Sequence, residues 1–155
     1  MSDFENYIPE GHEDIEVFHI GTIIFNDEIL TEKEVNINKR FKPKSIGECK
    51  VEVYSGEGQI PHFHIYNNDH SFDTCVCIHS ANYFSHGNKY KDKFNSKQCK
   101  ELDQWLRNQF NEINTIWEII RGMWEVSNPY CKFPNYLKVT KQPDYTKMKD
   151  FRDRI

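Results

Sequence analysis

Imidazole and thiolate side chains are the common ligands of zinc and the common bases and nucleophiles of small hydrolases. In this chain they crowd into one window: between His62 and His86 stand five of the seven histidines and two of the five cysteines. The window reads Pro61-His62-Phe63-His64-Ile65-Tyr66, then the turn formers Asn67-Asn68-Asp69-His70-Ser71, then Thr74-Cys75-Val76-Cys77-Ile78-His79. Residues two apart on a strand point the same way. His62 and His64 therefore share one face, and Phe63 and Ile65 the other. By the same rule Cys75, Cys77 and His79 fall together, opposite Thr74, Val76 and Ile78. An antiparallel hairpin that gathers the apolar residues into one core sets His64 opposite Cys75 and His62 opposite Cys77.

Four donors on one hairpin face make His62, His64, Cys75 and Cys77 candidate metal ligands, with zinc the first ion to consider. Two features weigh against this. A flat sheet face is an awkward tetrahedron, and Cys75-Val76-Cys77 has a single intervening residue where zinc knuckles have two. The alternative makes both cysteines buried small hydrophobes and has the histidines bonding backbone carbonyls. His70 sits in the turn, while His79 and His86 flank an aromatic segment. Either of the latter two could complete a site if that loop folds over the His62 face. His12 and His19 stand apart from the window. The chain has no Walker loop, nucleophile elbow, His-Glu-x-x-His helix or dinucleotide fingerprint.

Gly58-Gln59-Ile60-Pro61-His62-Phe63-His64-Ile65 resembles the active-site strand of the histidine-triad nucleotide hydrolases and transferases. The resemblance implies catalytic roles for His64, as nucleophile toward a nucleotide phosphate, and for His62 as its support. The third histidine of that pattern falls at Tyr66, and the motif lies mid-chain, unlike its usual place near the end of that fold.

A longer resemblance spans about residues 47–129 and is carried by Gly47-Glu48-Cys49, Ile60-Pro61-His62-Phe63-His64-Ile65, Cys75-Val76-Cys77-Ile78, Tyr83-Phe84 with His86-Gly87, Phe94-Asn95-Ser96-Lys97-Gln98-Cys99, and the pairs Trp117-Glu118 and Trp124-Glu125. Here the chain looks like a small-protein family of gut bacteria and their phages. It has a more distant likeness to short prokaryotic proteins with a Pro-His-Phe-His strand, often encoded beside toxin-antitoxin partners. The resemblance implies a phage or mobile-element setting and brings no established activity.

The elements that must hold the window follow from patterning. The 155 residues suit one domain, and although the hydrophobic fraction is 37%, 11 Phe, 8 Tyr and 3 Trp provide large units of burial. Residues 1–13 look like a loose lead-in, and 14–80 are rich in strands. Those strands are Ile15 to Ile20 with Thr22 to Phe25, a hairpin turning at Asn26-Asp27 toward Ile29-Leu30, a short strand at Val35 and Ile37, the alternating Cys49, Val51 and Val53, and the window hairpin.

Two helices are predicted across 95–128, each opened by a capping box, Asn95 with Gln98 and Thr115 with Glu118. Their apolar stripes run Cys99, Leu102, Leu106, Phe110, Ile113 and then Ile116, Ile119, Ile120, Met123, Trp124, with Pro129 as a stop. Trp105, Trp117 and Trp124 belong to the helix core by their spacing. Strands followed by helices argue an α+β fold: a mainly antiparallel sheet, two C-terminal helices on one face, and an extended tail over 129–155.

Net charge is −4, with ten acids and one base in residues 1–35 and seven bases and three acids in residues 130–155. The basic, aromatic tail could suit nucleic acid, but an acidic protein lacks the usual footprint, and a strap folding back over the domain is the simpler reading. The first residues offer neither a secretory signal nor a bilayer-length apolar run, and five cysteines is an odd count, so a reducing cytoplasm and no membrane association are expected. The leading functional expectation is a small intracellular binding or interaction protein with a protein partner. The alternatives are a metal- or histidine-dependent phosphoester hydrolase acting on nucleotide or RNA through His62 and His64, and a structural component of a phage particle.

Overall fold

The structure, a computed structural model, describes residues 15–26, 46–56, 60–84, 90–130 and 135–150. Four strands form one antiparallel sheet in chain order: β1 (Val17–Ile24), β2 (Glu48–Tyr54), β3 (His62–Asn67) and β4 (Asp73–Cys77). Two helices follow, α1 (Ser96–Arg107) and α2 (Ile116–Ser127). The α+β expectation holds. The turn after Asn26 toward Ile29-Leu30 and the short strand at Val35 and Ile37 lie outside the described residues.

Alternation in the strands builds the main core on one sheet face. Val51, Val53, Phe63, Ile65 and Val76 point to this side and meet Leu102 and Leu106 of α1 and Trp117 and Ile120 of α2. Gly21 marks a bulge in β1, where the register slips between His19 and Gly21. A Cβ at Gly21 would stand 3.2 Å from the Trp105 ring, so the missing side chain lets α1 approach the sheet.

Both capping boxes form as read. Asn95 accepts from the Gln98 amide while the Gln98 side chain accepts from Asn95, and Thr115 and Glu118 do the same for α2. The first apolar stripe ends sooner than its spacing suggests. α1 stops at Arg107, and Asn111 Oδ1 accepts from the amides of Ile113 and Asn114, a side-chain-made turn that competes with further helix. Phe110 and Ile113 are therefore exposed in the connection and do not belong to the core. At the far end of α2, Asn128 Nδ2 donates to the Tyr54 carbonyl and ties the helix to β2.

The tail is a strap bound along its described length, as the simpler reading of its composition suggested. Asp103 on α1 is its anchor: Oδ1 accepts from the Tyr145 amide and from Gln142 Nε2, while Oδ2 accepts from Arg107 Nε. The Tyr145 ring is fully buried, and its hydroxyl donates to the Ile78 carbonyl at 2.6 Å and accepts from Trp117 Nε1 at 3.2 Å. Further along, Arg121 donates to the Leu137 and Val139 carbonyls, and the Tyr83 amide donates to Lys149.

A Tyr145→Phe variant loses a buried hydrogen-bonded hydroxyl and is expected to be about 1–2 kcal/mol less stable. Tyr145→Ala also leaves a cavity and is expected to cost about 3–5 kcal/mol. Urea unfolding of both variants checks the ordering; equal stabilities would remove the hydroxyl's role.

Candidate metal centre

The β3–β4 register decides which side chains of the window meet. It pairs His62 with Cys77, Phe63 with Val76 and His64 with Cys75, as the apolar pattern required. β2 extends the arrangement, with Glu52 opposite His64. The face away from the helices thus carries Glu52 and Tyr54, His62, His64 and Tyr66, and Asp73, Cys75 and Cys77.

That face is not left to water over β3 and β4. The chain leaving β4 turns back along its outer edge, where the Cys77 amide donates to Asn82, the Phe84 amide donates to Cys75, and the Asp92 amide donates to Asp73. These ladder bonds bring an aromatic cover over the histidines. Phe84 stacks on His62 at 4.2 Å, Tyr90 meets His64 edge-on at 5.2 Å, and Tyr54 stacks on the His64 ring at 3.9 Å. Trp124 of α2 comes within 5.2 Å of His62. Ile60, Cys75, Cys77 and Phe84, with Tyr90 and Tyr136 against them, make a second, smaller core. His62 and His64 are 0% and 1% exposed.

Within this enclosure three donors converge. One ligand atom from each of His62, His64 and Cys75 lies within 4.8 Å of the others. Cys75 Sγ is 3.2 Å from His64 Nδ1. His62 Nδ1 is 2.8 Å from the Ile60 carbonyl, which can only accept; this assigns the ring proton to Nδ1 and leaves the Nε2 lone pair for a ligand bond. Tetrahedral zinc with bonds near 2.0–2.3 Å places its ligand atoms ~3.3–3.8 Å apart. The His64–Cys75 pair is already close to that spacing, and the rest needs a contraction of about 1 Å, within reach of side-chain rotation.

The other predicted donors do not join. Cys77 lies outside the converging group. Burial pushes its pKa up to about 12, so it is a neutral thiol at ordinary pH. His79 departs from the face assigned to it because β4 ends at Cys77 and Ile78 to Ser80 form a turn. There it packs against Trp117 and Tyr136, and neither ring nitrogen has a hydrogen-bond partner among the described residues. Burial, with the Arg121 charge adding to it, lowers its pKa to about 4. His70 bonds Asp73 at 3.0 Å and stacks on Tyr66, and His19 lies 3.8 Å from Glu52. His12 and His86 fall outside the described residues.

The aromatic walls Tyr54, Phe84 and Tyr90 went unassigned in the sequence reading. Only Tyr54 carried a legible signal, since β2 alternation puts it on the face of Glu52 and away from Val51 and Val53. Comparison with known proteins adds no guide: no family model, curated protein or solved structure matches the chain. No helix among the described residues is long and apolar enough to cross a membrane.

Two outcomes follow from these environments. Cys75 and Cys77 are fully buried and are expected to resist a thiol reagent in the native protein and to react once it is unfolded; fast native labelling at either, read by peptide mass, contradicts the enclosure. The His79 pKa falls from 6.5 unfolded to about 4 folded, so between these values the unfolded chain binds more protons. Its contribution to stability is full above pH 6.5 and declines as pH drops toward 4. His79→Gln is expected to flatten that part of the stability-against-pH curve, and an unaltered slope assigns it to other groups.

Proposed function

We propose that this chain is a metal-binding protein that holds one thiophilic ion of the zinc class through His62 Nε2, His64 and Cys75. The convergence of these three donors within 4.8 Å in a closed site carries the reading. Two imidazoles and a thiolate suit zinc in softness and charge, and the Ile60 carbonyl that orients His62 is the kind of outer partner that metal-bound histidines use. Cys77, expected as a fourth ligand, is not part of this proposal.

Burial favours binding over turnover. A nucleophilic imidazole must come within ~3–3.5 Å of the phosphorus it attacks. The aromatic cover stands where a substrate would have to be, with Phe84 stacked on His62 and Tyr54 on His64. A cleft of about 450 Å³ elsewhere in the molecule is lined by Arg107, Thr115, Trp117, Glu118 and Lys141 among others, and by neither histidine. These observations support reading the histidine pair as ligands over reading it as a hydrolase's catalytic pair, within the broader expectation of a binding protein.

Protein purified without a histidine tag is expected to take up roughly one equivalent of zinc in a competitive chelator titration. Affinity is expected to drop about 100-fold or more in His62→Ala, His64→Ala and Cys75→Ser. Cys77→Ser should bind like the parent. Absence of stoichiometric binding by the parent, or equal losses in all four variants, would overturn this assignment of ligands.

A further inference from the structure

We infer that the ion at this site is an exchangeable effector and not a structural staple, and that the strap turn around Tyr136 reports its presence at the surface. The inference rests on the reading of His62, His64 and Cys75 as ligands. It concerns what the ion does once bound.

The first support is the division of the core. Structural zinc sites substitute for apolar burial in domains that have too little of it. Here the larger core lies on the helix side of the sheet, where Phe63, Ile65, Leu102, Leu106, Trp117, Ile120 and Tyr145 are buried together. The donors sit on the opposite face against the smaller cluster, with Trp124 of α2 meeting His62 at the edge, so most of the burial that holds the sheet and helices together does not involve them.

The second support is that the donors have hydrogen-bonding contacts that need no ion. Cys75 Sγ and His64 Nδ1 are 3.2 Å apart, a thiol–imidazole hydrogen bond, and His62 Nδ1 is held by Ile60. Two of the three donors, His64 and Cys75, thus keep a hydrogen bond to each other when the ion departs, and the His62 ring stays oriented through Nδ1. We therefore expect the metal-free chain to stay folded, the ion's arrival exchanging one closed arrangement for another.

The third support identifies the output. Drawing the donors in by about 1 Å turns imidazoles that are clasped on several sides, and close-packed aromatic groups respond to such shifts by repacking. Phe84 and Tyr90 ride directly on the two rings, and Tyr136 packs against the same cluster of Ile60, Cys75, Cys77 and Phe84. Tyr136 opens a short 3-10 turn, Tyr136–Lys138, preceded by exposed Asn135 and ending at exposed Lys138. That turn is tied down from the other side by Arg121, which donates to the Leu137 and Val139 carbonyls. The Tyr136 side chain therefore links the buried cluster to a surface segment, a short path by which occupancy can be read outside.

Hydrogen exchange read by mass spectrometry on the full, untagged chain, EDTA-treated against zinc-loaded, tests this. Both forms are expected to unfold cooperatively, with the midpoint rising with free zinc. Zinc is expected to slow exchange at least about fivefold in residues 82–84, 90–92 and 135–139, and to leave the interior of α1 unchanged. Cys75→Ser should keep the fold and lose the zinc response. If the EDTA-treated parent is unfolded while zinc restores it, the ion is structural and the inference fails although the ligand assignment survives. If zinc binds and both forms are folded but exchange at 135–139 is the same, the strap is not the output and the inference fails. If zinc does not bind, the ligand assignment fails and takes the inference with it.

Discussion

The pairing of β3 with β4 in a single register is the constraint on which the rest of the molecule depends. With Phe63 opposite Val76 and His64 opposite Cys75, apolar side chains go to the helices and imidazoles and thiols to the other face. A slip of one residue would reverse both sets and drive histidines into the core beneath Leu102 and Ile120. The turn helps hold that register. Asn67 Oδ1 accepts from the Phe72 amide, its Nδ2 donates to Ser71, and Asp69 Oδ1 accepts from Ser71, so the loop between the strands cannot easily change length.

Burying both faces of a hairpin sets a physical problem that the composition answers. The helix side takes branched and aromatic residues in the ordinary way. The other side must enclose two imidazoles, two thiols and nearby carboxylates, groups that lose hydration when covered. Flat aromatic rings meet this need because they stack on imidazole faces while leaving the ring nitrogens, which lie in the imidazole plane, open to bonds at the edge. Tyr54 and Phe84 cover His64 and His62 in that manner. Cover stops at the β3–β4 half of the sheet. Val17 and Ile24 on β1, on the same face, are 52% and 69% exposed.

Much of this fold could be read from local pattern. Alternation in β2, β3 and β4 located those strands and their faces, and the two capping boxes located the helix starts, because both signals depend on neighbours within a few residues. Local pattern also overreached. The spacing of Phe110 and Ile113 continued the helical stripe although Asn111 had already turned the chain. His79 kept strand parity with Cys77 although the strand had ended. Both errors arose where a side-chain or backbone turn interrupts a period that residue spacing alone extends.

The sequence by itself determined the hairpin and which side chains share a face, because a period of two and a common apolar core fix the parity of the pairing; the turn between the strands then selects the register that faces His64 with Cys75. It could not determine that His62 and Cys75 would converge with His64 while Cys77 stayed outside the group. Nor could it show that Phe84, Tyr90 and Tyr136 would close over them. Those outcomes rest on contacts between residues far apart in the chain, and no local period encodes such contacts. Only the folded path, with the segment after β4 returning along its edge and the strap held by Tyr145, turns a row of donors into an enclosed site.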